Sequence, residues 1–259
     1  MEYQTNLLEF LSKEENNLLT SMMKYRDDVD AFSRVDGHFQ APVAYIDVPA
    51  GNEQARTVVG LYLFTHFHLY LSFATLLRCH LSDSLASTRK AIDATFTAYK
   101  LHLEPGTLKA YLEEDASYRF ITKSIMRARK QDNNAYPLAP ALLELHGVCS
   151  RYGSHADVSS FAHRVKVTPL GPDKARVEHL MFQFPEDEKE FRYYLASTLS
   201  AFMLMIAIYA DPLSKLTKNF DVANWIKSSK ALTDSIEKVR AALAKAGLQE
   251  QAGAVKSND

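Results

Sequence analysis

Leu7, Leu8, Leu11, Leu18, Leu19, Met22 and Met23 recur at three- and four-residue intervals, which predicts an amphipathic helix from the start of the chain to about Phe32. Around Pro42, Pro49 and Gly51 the pattern breaks, so residues 37 to 53 read as a surface loop with one short extended piece at Val43 to Ile46. A second helix covers about Gln54 to His80. A third, capped by Ser82 or Asp83, runs to about Leu103, where Glu104-Pro105-Gly106 ends it. Pro105 suits the start of a next short helix, and two short helices are expected before Asn133. Helix resumes near Leu138 with Ala141, Leu142, Leu145 and Val148 as its apolar stripe, then continues past an interruption at Gly153.

The period changes to two between Val165 and Phe184. Val165 and Val167, then Gly171-Pro172-Asp173, then Val177, His179 and Met181 alternate as a β-hairpin does. Beyond Pro185, Glu186-Asp187-Glu188 suits a helix N-terminus, and that helix should end at Asp211-Pro212. A last helix is expected over Ser228 to Ala246, stopped by Gly247. The predicted fold class is therefore all-α: a helical bundle around two apolar helices, with one small β-hairpin near residues 165–184. Without repeats or linkers, residues 1–247 read as a single domain and residues 248–259 as a flexible tail.

The two most apolar runs, Val58 to Leu77 and Tyr193 to Ala210, approach the length that crosses a bilayer, about 20 residues. The first carries Thr65, His66, His68, Ser72 and Thr75, which are costly in hydrocarbon. Buried core helices are the expectation, with a membrane hairpin as the alternative. Thirty Lys and Arg against 31 Asp and Glu leave no global field to draw nucleic acid or lipid, so such binding needs a local patch. Cys79 and Cys149 sit in apolar surroundings without metal-ligand spacing. Glu9, Lys13, Glu14 and Glu15 interrupt any leader-like run, and together these features point to the cytoplasm.

Polar groups gather most densely between Leu145 and His163. On a continuous helix Arg151, His155, Ser159 and His163 share one face. Such a row either satisfies its own hydrogen bonds, or it offers His155 as a proton-transfer group and Arg151 as an anion holder. On the third helix Arg89 and Asp93 lie four apart, and Arg89 is flanked by apolar residues that would bury part of its stem. Arg119, Lys123, Arg127 and Lys130, with Arg129 beside them, form a basic stripe that is either a solvated outer face or a contact for phosphates. His66 and His68, two apart on a helix, cannot share one metal ion, whereas His66 with Tyr62 and Tyr70 makes a plausible polar cluster. No Gly-rich phosphate loop, Gly-x-Ser-x-Gly elbow, Cys-x-x-Cys pair or His-Glu-x-x-His motif is present, so neither metal nor cofactor is expected.

Arg89-Lys90-Ala91-Ile92-Asp93 through Tyr99-Lys100-Leu101, and Arg151-Tyr152-Gly153-Ser154-His155 with Ser159 to His163, resemble two helices of the HEPN-like helical proteins. The resemblance covers about Val58 to His163. It implies an all-helical fold and, from the active members of that group, RNA cleavage by an Arg and a His with four to six residues between them beside a dimer interface. Here three residues stand between Arg151 and His155, and His163 lies farther off. The expected roles are thus a helical interaction or regulatory module, with a homodimer as its form, or a metal-independent ribonuclease, or a membrane-associated helical protein.

Overall fold

The computed structural model describes residues 7–153, 165–171, 173–179 and 188–256. Ten α-helices and one antiparallel hairpin make up these residues, an all-α bundle with a small β attachment. The helices are α1 (Leu7–Lys24), α2 (Arg26–Gln40), α3 (Glu53–Leu77), α4 (Leu81–Leu103), α5 (Leu108–Leu112), α6 (Ala116–Arg119), α7 (Ile121–Gln131), α8 (Ala139–Gly153), α9 (Glu188–Leu216) and α10 (Val222–Lys256). Strands β1 (Val165–Gly171) and β2 (Lys174–His179) pair so that Val165 faces His179 and Val167 faces Val177, as the alternation predicts.

Helix α9 is the axis of the bundle: α2, α3, α4, α8 and α10 all pack on it. Its inward face carries Phe191, Leu195, Leu199, Phe202, Ile206, Tyr209 and Leu213, all buried. Contrary to expectation it does not stop at Asp211-Pro212 but passes through Pro212 to Leu216. Pro212 forgoes one backbone bond. The turn is held instead by buried Leu213 inside and by Asp211 outside, whose Oδ2 lies 2.5 Å from His102 Nε2 and 3.1 Å from Lys215 Nζ.

Four further boundaries differ from the sequence reading. The opening helix breaks at Tyr25 (φ −109°, ψ 45°), because that ring turns inward to lie 4.8 Å from Phe191, and Asp27 and Asp28 then begin α2. Val43 to Tyr45 is a single 3-10 turn, and the extended residue is Ile46, which bridges to Thr217. Helix α10 starts six residues before Ser228 and runs through Gly247 to Lys256, across part of the expected tail. The third helix begins one residue before Ser82, at Leu81, without a side-chain cap.

Helices α3 and α4 form a hairpin whose turn places Cys79 in the left-handed region (φ 68°), with the Cys79 and His80 amides returning to Leu76 and Thr75 carbonyls. The polar residues of α3 meet hydroxyls of α4 inside the bundle. Ser72 Oγ lies 2.6 Å from Thr88 Oγ1, His68 Nδ1 2.8 Å from Ser87 Oγ, and Thr65 Oγ1 3.4 Å from Thr95 Oγ1. Buried polar groups without partners cost stability, and this ladder satisfies them within the protein. Both α3 and α9 are long and apolar enough to cross a membrane by length and composition. They differ in burial, 67% of the apolar stretch of α9 against 39% of that of α3. Helix α3 therefore buries one face in the core and leaves Leu63, Phe64, Phe67, Tyr70 and Leu71 exposed on another.

Candidate functional site

A polar cluster that joins three helices lies between α4, α7 and α8. Arg89 and Asp93, one turn apart on α4, point toward His146 of α8. His146 Nε2 is 3.1 Å from Asp93 Oδ1 and 3.4 Å from Arg89 Nε, and the direct Arg89 to Asp93 separation is 4.0 Å. Thr122 of α7 donates to Asp93 Oδ1 at 3.2 Å. Ser150, one turn beyond His146, donates its hydroxyl to the His146 carbonyl at 2.7 Å and sits 3.4 Å from the ring Nδ1.

These contacts constrain the imidazole. The Ser150 proton is directed at the carbonyl, so its oxygen presents a lone pair that suits an Nδ1–H donor. Nε2 then has two incompatible neighbours: it serves Asp93 only when it carries a proton and receives from Arg89 only when it does not. The ring is thus held from α4 and from its own helix, with Nε2 standing between a carboxylate and a guanidinium. Beneath it, burial pushes the Cys149 thiol up to about 12, against the opposing pull of nearby Arg89. That thiol is a packing residue and no nucleophile.

An open groove of about 540 Å³ runs from this cluster between α3, α4 and α5, with Asp93, Lys90, Thr97, Tyr111 and Phe64 along it. Lys90 is exposed, and no carboxylate pairs with it among the described residues. Phe64 connects the groove to the outward face of α3, where Leu63, Phe67, Tyr70 and Leu71 are also exposed.

The residues singled out from sequence are distributed as follows. Arg89 and Asp93 belong to the cluster. Arg151 is on the exposed side of α8 and joins none of the cluster's hydrogen bonds, while His155, Ser159 and His163 lie outside the described residues. The basic stripe is divided: Arg119 ends the separate helix α6, where it lies 3.6 Å from Glu114, whereas Lys123, Arg127 and Lys130 are exposed on α7. Arg129 turns away from them and donates to the Ala135 and Tyr136 carbonyls, clipping the loop after α7.

The residue that sequence reasoning missed is His146. The expected stripe of α8 was Ala141, Leu142, Leu145 and Val148, yet Ala141 and Val148 are exposed, and Ala139, Leu142 and Cys149 are the buried positions. The stripe is rotated, and His146 lies within it, one turn after Leu142. The spacing Leu142, His146, Cys149 was the available signal.

A second cluster surrounds Asp36 of α2. Its Oδ1 accepts from His66 Nε2 and Tyr70 OH, each at 2.6 Å, and its Oδ2 from Gln40 at 2.7 Å. Tyr62, expected beside His66, donates instead to the Phe39 carbonyl at 2.6 Å. With both oxygens of Asp36 taken, the cluster works as a clamp between α2 and α3. Among the described residues, no three His, Cys, Asp or Glu gather to hold a metal ion.

No family model, no curated protein and no solved structure matches the chain. The HEPN-like resemblance thus rests on its motif residues alone.

Proposed function

We propose that this chain is a cytoplasmic helical interaction module that pairs with a second copy of itself through the outer face of α3. The observation that carries the reading is the exposure of Leu63 (44%), Phe64 (45%), Phe67 (56%), Tyr70 (41%) and Leu71 (38%) along a helix with no Asp, Glu, Lys or Arg between Arg56 and Arg78. Exposed aromatic residues on a helix stretch that itself carries no charged residue match the composition of an interface centre. At roughly 200 Å² per aromatic side chain the three rings alone leave roughly 300 Å² open. That is a fair core for an interface of about 800 Å² per partner. A two-fold pairing sets the same stripe against itself.

Sedimentation velocity tests this. The wild-type chain should dimerise at micromolar concentration, and Phe67→Asp should make it monomeric with its melting temperature kept. A wild-type monomer at all concentrations sinks the reading, and co-flotation of that monomer with neutral lipid vesicles would favour the membrane-associated alternative.

The second reading is metal-independent RNA cleavage. The arrangement that favours it is His146 held between Asp93 and Arg89, with Asp93 also lining the groove that Lys90 borders. A proton-transfer group next to cations is what phosphodiester cleavage needs. RNA incubated with wild type, His146→Asn and Arg151→Ala proteins separates the cases. Cleavage abolished only by His146→Asn assigns the α4/α8 cluster, cleavage abolished by Arg151→Ala points back to the motif residues, and no cleavage by wild type removes the reading.

A further inference from the structure

Helices α2 and α10 both pack on α9, and between them an open trench of about 800 Å³ remains. The residues facing across it explain why it does not close: Gly37 and Ala41 on α2 and Ser228, Ala231 and Ser235 on α10 are too small to fill it. A Cβ built on Gly37 would meet nothing within 4 Å. Volumes of about 300 to 1,000 Å³ are the range of small-molecule sites.

The two ends of the trench differ in chemistry. At one end Tyr45, Phe220 and Trp225 form an aromatic wall, with ring centroids 5.2 Å apart for Tyr45 and Phe220 and 5.8 Å for Phe220 and Trp225. This wall is fixed in advance by the backbone. The Lys218 amide donates to the Tyr45 carbonyl at 2.9 Å, the Asp47 amide to the Leu216 carbonyl at 2.8 Å, and Trp225 Nε1 to the His38 carbonyl at 3.0 Å. The other end holds Arg34, which is exposed and pairs with no carboxylate among the described residues. Its neighbour Arg192, in the adjoining small cavity, is by contrast committed to Asp28 at 2.8 Å.

Charge gives the trench a direction. Asp221, whose Oδ1 caps the Asn224 amide at 3.0 Å, lies at the aromatic end and repels an anion there. Arg34 attracts one at the opposite end. Midway, His38 has Nδ1 3.0 Å from the Arg34 carbonyl and Nε2 3.3 Å from Ser228 Oγ, so polar groups punctuate the apolar floor. From Arg34 to Ala41 the helix rises about 10 Å. We propose that this trench binds an elongated small molecule that bears an aromatic ring at one end and a carboxylate or phosphate at the other, the ring against Tyr45 and Phe220 and the anion on Arg34.

Trp225 is the single tryptophan of the chain, so its fluorescence reports on the trench directly. The probes are 4-phenylbutyrate and adenosine monophosphate, each with its uncharged twin, 4-phenylbutan-1-ol and adenosine. At least one anion should give a saturable change at or below millimolar concentration, and which one responds separates a carboxylate from a phosphate ligand. Arg34→Gln should weaken that anion about tenfold or more, as loss of a charge-assisted hydrogen bond does, and leave the uncharged twin unaffected. Arg34→Lys, which keeps the charge, should retain most of the affinity and so distinguishes loss of the cation from loss of fold. Saturation by neither anion overturns the proposal, as does an affinity indifferent to Arg34→Gln.

Discussion

Thr65 Oγ1 and Tyr209 OH meet 3.0 Å apart at the centre of the bundle, both residues with no exposed surface. Thr65 also donates to the Leu61 carbonyl, and Thr95 to the Ala91 carbonyl, so the Tyr209 hydroxyl joins two groups that already have backbone partners. Tyr209→Phe should therefore cost only about 1 kcal/mol in urea unfolding. Combined with Thr65→Val it should cost less than the sum of the two single changes, because each removes the same bond. Full additivity would mean that the contact contributes nothing to stability.

Asp28 is 5% exposed and depends on Arg192, 2.8 Å away. Burial raises the Asp28 carboxyl above its ordinary 3.8, with the Arg192 guanidinium opposing that rise. A carboxyl raised in the folded state binds its proton more readily there than in the unfolded chain. Its contribution is therefore most favourable at low pH and falls as pH rises through 3.8 to the folded value. Arg192→Met removes the opposing charge and should cost about 2 to 3 kcal/mol at pH 7, less than for a fully buried pair because Arg192 is partly open to water. The loss should shrink as pH falls toward 4, and a cost independent of pH would show that Arg192 acts through packing alone.

His68 gives a dependence of the other sign. Its imidazole is 4% exposed between Phe64 and Phe67, and burial, helped by Lys90, lowers it below 6.5. The folded protein therefore resists protonation that the unfolded chain accepts. The stability that the neutral ring contributes is complete above pH 6.5 and is lost as pH drops from there toward the lowered folded value. Urea midpoints measured between pH 7.5 and pH 5 should fall with acid in the wild type and fall less in His68→Gln. Equal slopes would show that His68 titrates alike in both states.

Long apolar periodicities made α3, α4 and α9 legible, because each element is set by its own residues. What was not legible depended on partners far along the chain. Tyr25 breaks the first helix to reach Phe191, Pro212 is tolerated because Leu213 is buried and Asp211 is held by His102, and the stripe of α8 is rotated to meet α4. The candidate site divides in the same way. Arg89 and Asp93 could be paired from their four-residue spacing, whereas His146 acquires meaning only from Asp93. The outward face of α3 was hidden for the opposite reason: a helix apolar all round reads the same from sequence whether it is enclosed or has one side open.

The two thiols give a local test of the α4/α8 seam. Burial pushes Cys79 up to about 11 and Cys149 up to about 12. A free thiol lies near 8.5, so at pH 8 both should react with a disulfide reagent orders of magnitude more slowly than a small thiol, and both should react promptly in denaturant. Their routes to reaction differ. Cys79 is only partly covered, at the turn between α3 and α4, while Cys149 lies beneath His146 with no exposed surface and must wait for α8 to lift from α4. His146→Ala removes the side chain that joins these helices through Asp93 and Arg89, and it should accelerate Cys149 labelling severalfold in a Cys79→Ser background. The same change should leave Cys79 labelling in a Cys149→Ser background unaltered, since that turn does not share the seam. Equal acceleration of both thiols would indicate global destabilisation, and no acceleration of Cys149 would mean that the cluster does not hold the helices together.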